Sequence, residues 1–235
     1  MATGDDELIE EQRRYYDERA PIYDDLYFRR GVYAFDDEAT AAVWQRETDT
    51  LERFVRDLQI DRSAVLELAC GTGLWTRFLV HRARRVVAVD SSPRMLEENR
   101  RRVADDRVRY ERVDLFAWEH GERFDLVFAG FFLSHVPPDR WVPFWSKVAG
   151  WVAPGGAIAF VDDAWGRDRP RSGDRDPDGP EHAHRRQLGE DRFTIVKRFF
   201  RPDELELAFA TAGIAANVAT TGEHFLFGAG TPRPS

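Results

Sequence analysis

A doubly wound α/β fold on a mostly parallel sheet is what this sequence predicts, on three observations. Five short strand-like runs, Val65–Leu68, Val86–Val89, Val108–Glu111, Leu126–Ala129 and Ala157–Val161, are separated by helix-patterned stretches. Strands spaced this way pair in parallel through right-handed crossovers. The first run leads into Glu67-Leu68-Ala69-Cys70-Gly71-Thr72-Gly73, a strand passing through a glycine turn. Such a turn lets backbone N–H groups at a helix N-terminus approach a ligand closely. The second run ends in Asp90, where a carboxylate can accept from both hydroxyls of a ribose.

The remaining elements follow in order. Glu7 to Arg19 reads as a charged helix, with Tyr15, Tyr16 and Tyr23 interleaved among acids. Asp37 to Leu58 reads as a second helix, with Trp44, Leu51, Phe54 and Val55 near helical spacing on one face. After the glycine turn, Leu74 to Val80 reads as a helix, and so does Pro93 to Val103, with proline in its first turn. Trp141 to Val152 is the helix before the Ala153-Pro154-Gly155-Gly156 turn. Gly166 to Asp191 is rich in proline, glycine and charge, the composition of a long surface loop. Arg192 to Phe200 reads as a strand, and Pro202 to Ala212 as a helix closed by Gly213. Ile214–Thr220 and His224–Gly228 read as a final antiparallel hairpin, with a frayed tail after Gly230.

At 235 residues the chain fits one α/β domain with additions. A net charge of −8 argues against a broad nucleic-acid surface, which needs a basic stripe. Cys70 is the only cysteine, so neither an intramolecular disulfide nor a cysteine-built metal site is expected. His182 and His184 lack an evident third ligand, and no metal is predicted. The acidic N-terminus lacks the apolar core of a signal peptide, and no apolar run approaches membrane-spanning length. The expectation is a cytoplasmic enzyme without nucleic-acid or membrane partners; no oligomeric state is implied.

Five motifs, in order over about residues 60 to 162, resemble the class I S-adenosylmethionine-dependent methyltransferases. They are Glu67 to Gly73, Val87 to Met95 with Asp90 inside it, Val113-Asp114-Leu115, Phe124 to Gly130, and Val152 to Val161. A dinucleotide signature would carry a third glycine where this chain has Thr76. The C-terminal stretch Arg185-Arg186-Gln187-Leu188, a charged turn and Ile195-Val196-Lys197 resembles a group of bacterial small-molecule methyltransferases.

The resemblance implies a Rossmann-like methyltransferase fold with a seven-stranded sheet. It divides the domain into an N-terminal helical lid (1–58), a cofactor-binding core (59–165), an insertion loop after strand five (166–191) and C-terminal strands and helix (192–235). The implied cofactor is S-adenosyl-L-methionine. Glu67, Ala69, Gly71, Gly73, Asp90, Ser91, Met95, Asp114, Leu115 and Ala129 form its expected binding set. Within it, Gly71 and Gly73 approach the methionyl part, Asp90 takes the ribose, Asp114 the adenine amine, and Leu115 offers its backbone N–H.

The expected reaction is in-line methyl transfer to a small molecule, in which positioning supplies much of the rate. His135, just past strand four, is the first catalytic candidate, as a general base or as a histidine bonding the next loop's backbone. Tyr23 and Asp163 complete the catalytic set, with Tyr23 the preferred lid tyrosine. Tyr16, Phe132, Trp165, Arg186 and Lys197 are the substrate-binding candidates. Arg186 and Lys197 belong to a basic cluster in an acidic chain, read either as a solvated face or as a gate for an anionic acceptor. Rival readings are an isoprenoid-diphosphate C-methyltransferase, an RNA or protein methyltransferase, a non-catalytic cofactor-binding protein and a nucleotide-dependent oxidoreductase.

Overall fold

The computed structural model describes residues 4–60, 63–164 and 180–233. Seven strands form one sheet in the order β3-β2-β1-β4-β5-β9-β8. They are β1 (Ala64–Leu68), β2 (Arg85–Asp90), β3 (Val108–Arg112), β4 (Phe124–Gly130), β5 (Val152–Asp163), β8 (Ile214–Thr220) and β9 (Phe225–Pro232). The first five pair in parallel, and β9 runs antiparallel to both β5 and β8. The order turns back on itself between β1 and β4, so both loops open at the carboxyl edge where this architecture binds ligands.

Residues that alternate along the central strands face two separate cores, which is why the runs read as continuously apolar. Leu66, Leu68, Val87 and Val89 pack with Trp141, Phe144, Trp145 and Val148 of α5 (Pro138–Gly150) and with Leu205 and Phe209 of α6 (Pro202–Thr211). Val65, Val86 and Ala88 face the opposite layer. There they meet Leu51 and Val55 of α2 (Glu38–Asp57), Leu79 of α3 (Thr76–Arg82) and Leu96 of α4 (Pro93–Val103). Asp37 caps α2 by accepting from the Thr40 N–H at 2.7 Å, and Ser92 caps α4 by accepting from Met95 N–H at 3.0 Å.

Three expectations need correction. The segment read as loop from Gly166 to Asp191 contains β6 (Ala183–Leu188), which forms a separate antiparallel hairpin with β7 (Asp191–Val196). Four consecutive polar residues, His184 to Gln187, fill the middle of β6, so its composition imitates a loop. The tail after Gly230 is not frayed up to Arg233: β9 pairs Pro232 with Ile214, and the Arg233 N–H donates to Gly213 at 2.8 Å. α3 begins at Thr76 rather than Leu74 because the turn through Gly73 occupies the first residues. Trp165 lies outside the described residues.

The first helix, α1 (Gly4–Arg19), does not join the sheet layers. Tyr15 and Tyr16 pack on Phe193, Ile195 and Leu188 of the β6–β7 hairpin. Helix and hairpin together cover the carboxyl edge.

Candidate active site

The glycine turn is shaped by backbone conformation. Ala69, Gly71 and Gly73 all have positive φ, at 48°, 51° and 85°. The two glycines serve different ends. A Cβ on Gly71 would meet only the Ala69 carbonyl oxygen, at 4.0 Å, so the space beside it is open. A Cβ on Gly73 would lie 2.6 Å from Asn99 Oδ1. On its Cβ side, Gly73 makes room for Asn99. Asn99 in turn donates to Thr76 Oγ at 2.8 Å and to the Cys70 and Gly71 carbonyls.

Ala69, Gly71, Asp90, Ser91 and Met95 line one cavity together with Gln12, Arg13, Tyr16, Tyr23, Phe131, Phe132 and His135. Asp90 accepts from the Gly71 N–H at 3.0 Å and from the Ser92 N–H at 2.9 Å, which fixes its carboxylate at the cavity edge. Burial holds its carboxyl above the usual range, against those backbone bonds. Glu67 is buried beneath the turn. One oxygen accepts from Thr76 at 2.6 Å, while Oε1 has no partner. Burial, partly offset by the Thr76 bond and reinforced by Asp90, pushes its carboxyl up to about 8.

Asp114 lies outside that cavity, in an open groove with Ser91, Pro93, Arg112 and Arg13. Its Oδ1 accepts from the Phe116 N–H at 3.0 Å and pairs with Arg13 of α1. Leu115 and Ala129 line none of the described cavities. Leu115 is buried in the core, and Ala129 sits in β4 between Leu68 and Phe160. Phe132, expected on the acceptor side, lines the cavity of the glycine turn instead.

A second cavity, of about 130 Å³, adjoins the first. Tyr16, Tyr23, Phe131 and His135 line both. Arg19, Trp44, Leu74, Asp163, Arg186, Ile195, Lys197 and Phe225 are among the residues that complete it. Three segments far apart in sequence, α1, the turn after β4 and the β6–β7 hairpin, thus meet at one place.

At the common wall the His135 ring is held at both nitrogens. Nδ1 lies 2.6 Å from the Val196 carbonyl oxygen and Nε2 lies 2.8 Å from the Tyr16 hydroxyl. A carbonyl only accepts, so Nδ1 carries the proton and Nε2 accepts from Tyr16. Burial first, then the cations Lys197, Arg186 and Arg19, pushes His135 well below the usual imidazole value, against the Val196 bond. Tyr16, not the preferred lid tyrosine Tyr23, makes this bond. Burial keeps both phenols protonated, with each pushed above its ordinary value.

Lys197 is already answered by neighbours. Its ammonium donates to Asp163 and, at 2.9 Å, to Ser134 Oγ, with Asp162 at 3.9 Å. Asp162 anchors the turn after β4 by accepting from the Ser134 N–H at 3.0 Å. Strand alternation turns Arg186 toward the cavity while Arg185 is exposed. The reading missed Arg19, Phe131, Gln12 and Arg13. Of these, Phe131 takes φ 55° at the end of β4.

α1 is fastened on both sides of this site. Asp17 accepts from Ser92 Oγ at 2.6 Å, Arg13 pairs with Asp114, and Gln12 accepts from the Val196 N–H at 3.0 Å. Just beyond α1, Asp24 accepts from Thr72 Oγ at 2.7 Å and pairs with Arg102.

A sheet of this order, with an acid at the end of β2 facing a glycine turn, defines the class, and comparison with known proteins agrees. A methyltransferase-domain family profile matches residues 65–156. A solved DhpI–SAM–HEP complex is 35% identical, covering 99% of this chain and 100% of the other, with a TM-score of 0.77. The chain belongs to the S-adenosylmethionine-dependent methyltransferases. It is also similar to the trans-aconitate 2-methyltransferase of Escherichia fergusonii, at 33% identity over 104 residues, 43% of this chain and 40% of that protein. A malonyl-[acyl-carrier protein] O-methyltransferase of Acetivibrio thermocellus is 30% identical over 104 residues, 43% of this chain and 36% of its own length. The matches thus span about two fifths of these curated relatives. Among the described residues, no helix is long and apolar enough to cross a membrane, and no cluster of three or more His, Cys, Asp or Glu could hold a metal ion.

Proposed function

We propose that this protein transfers a methyl group from S-adenosylmethionine to a small anionic molecule held between α1 and the β6–β7 hairpin. The observation that carries the reading is the wall of Tyr16, Tyr23, Phe131 and His135 common to two adjoining cavities. One cavity ends at Gly71 and Asp90; the other holds Arg19, Arg186 and Lys197.

The residues fit the cofactor. Open space beside Gly71 gives it a cradle, and Oε1 of buried Glu67 beneath the turn has no partner. Asp90, held by two backbone N–H groups, keeps lone pairs for ribose hydroxyls. Both contacts of Asp114 given above fall on Oδ1, which leaves Oδ2 for the adenine amine. The bound cofactor supplies an electrophilic methyl on a sulfonium, and aromatic faces stabilise such a cation. Tyr16, Tyr23 and Phe131 provide those faces.

His135 acts as a positioning group more than as a proton sink. An imidazole held well below its ordinary value is a poor base. It can still hold Tyr16, and through it the acceptor, in line with the methyl. An acceptor that is already an oxyanion needs no base, which agrees with the cationic lining. Two relatives carry the names of acidic acceptors, trans-aconitate and malonyl-[acyl-carrier protein], which supports the same reading. Calorimetry with S-adenosylmethionine and with NAD tests the cofactor assignment. Binding of the first alone is expected; binding of NAD instead would return the protein to the oxidoreductases.

A further inference from the structure

Arg19 lines the second cavity, and the described structure gives its charge no carboxylate partner. It is the last residue of α1, only 8% exposed, and its Nε is buried with no hydrogen-bond partner. Its guanidinium lies over the faces of Tyr15 and Tyr23, 5.7 and 5.4 Å from the ring centroids. Nearby acids are engaged elsewhere. Asp17 is bonded to Ser92 and paired with Arg94, Asp24 is paired with Arg102, and Asp163 with Lys197. A buried charge without a counter-charge is costly. An arginine kept in that state at a cavity wall is a site for an anion that arrives with the ligand.

Resting on the proposed function, we infer that Arg19 is the residue that recognises the acceptor, binding a carboxylate or phosphate-type oxyanion on it. The planar guanidinium suits either group, because both offer paired oxygens to its parallel N–H donors. Tyr15 and Tyr23 hold the guanidinium over their ring faces. Arg186 lines the same cavity from β6. Lys197, which sequence singled out for this task, instead orients Asp163 and Ser134. Because Arg19 ends the lid helix, an acceptor bound to it also helps seat α1 on the core.

The test loads the protein with S-adenosylhomocysteine and titrates it by calorimetry with inorganic phosphate or with succinate, at constant ionic strength in chloride. Saturable binding of at least one is expected, and the better of the two names the oxyanion. Arg19→Leu should weaken it about tenfold or more, as expected when a charged hydrogen-bonding partner is lost. Arg19→Lys should recover only part, and both variants should bind S-adenosylhomocysteine within about twofold of the parent. If Arg19→Leu does not fold, Arg19→Lys decides alone, with parental anion affinity counting against the inference. Hydrogen exchange in the last turn of α1 should slow when the anion binds the parent. Parental anion affinity in Arg19→Leu, or no saturable binding of either anion by the loaded parent, would overturn the inference. A parent that fails to bind S-adenosylhomocysteine refutes the proposed function instead.

Discussion

The Tyr16 hydroxyl donates to Nε2 of His135 across 2.8 Å, joining α1 to the turn after β4 at the wall of both cavities. If this bond holds the acceptor in line, Tyr16→Phe and His135→Ala should each lower kcat by roughly tenfold to a hundredfold. Cofactor affinity should change far less. The two losses should not add, because each variant removes the same bond. Steady-state kinetics of the singles and the double variant checks this. A double variant showing the full product of both losses would mean that the residues act separately.

The same pair sets a pH dependence. His135 is held well below its ordinary value, so it stays neutral as pH falls through 6.5. The kcat/KM profile should therefore carry no inflection from an imidazole near 6.5, and any loss assigned to His135 should come at lower pH. A group whose folded value is depressed in this way also costs stability as pH falls toward that value, because the unfolded chain takes up the proton first. An acid limb near 6.5 that disappears in His135→Ala would show that the imidazole is not depressed.

Glu67 gives the opposite slope. Its carboxyl is raised from 4.5 to about 8, so the folded protein keeps a proton that the unfolded chain has lost. Stability from this group should be fully present below 4.5 and decline as pH rises toward 8. Glu67→Gln cannot ionise, so its melting temperature should gain on the parent's as pH rises across that interval. Parallel curves for the two proteins would place Glu67 in the ionised state.

The two glycines of the turn should separate by phenotype. Gly73→Ala drives a Cβ against Asn99 Oδ1. It should cost about 1–3 kcal/mol of stability, the range for overpacking a tight site. Gly71→Val points into open space and should block the cofactor there, at the added cost of the strain a β-branched residue carries at φ 51°. Thermal melts and calorimetry on both variants check this. Normal cofactor binding by Gly71→Val would show that the turn does not approach the ligand.

Much of this architecture could be read from sequence because its signals are local. The five parallel strands, Pro93–Val103 and the cradle from Glu67 to Asp90 are carried by residues adjacent in the chain. β6 was hidden because His184, Arg185, Arg186 and Gln187 have no apolar alternation; the strand is defined by its pairing with β7. Arg19 was hidden for another reason. At the end of a charged helix it reads as one more solvated arginine, and only packing against Tyr23 and the cavity wall buries it. The engagement of Lys197 is hidden from sequence for a complementary reason, since its partners Asp163 and Ser134 lie 34 and 63 residues away.

Labelled methyl transfer tests the central claim most directly. The parent protein, supplied with methyl-labelled S-adenosylmethionine and a pool of small carboxylates and phosphate-bearing compounds, should form S-adenosylhomocysteine in step with label in a low-molecular-mass acidic product. His135→Ala should slow both together. Label that enters only protein or RNA, or S-adenosylhomocysteine that never exceeds the uncatalysed background, would contradict the account.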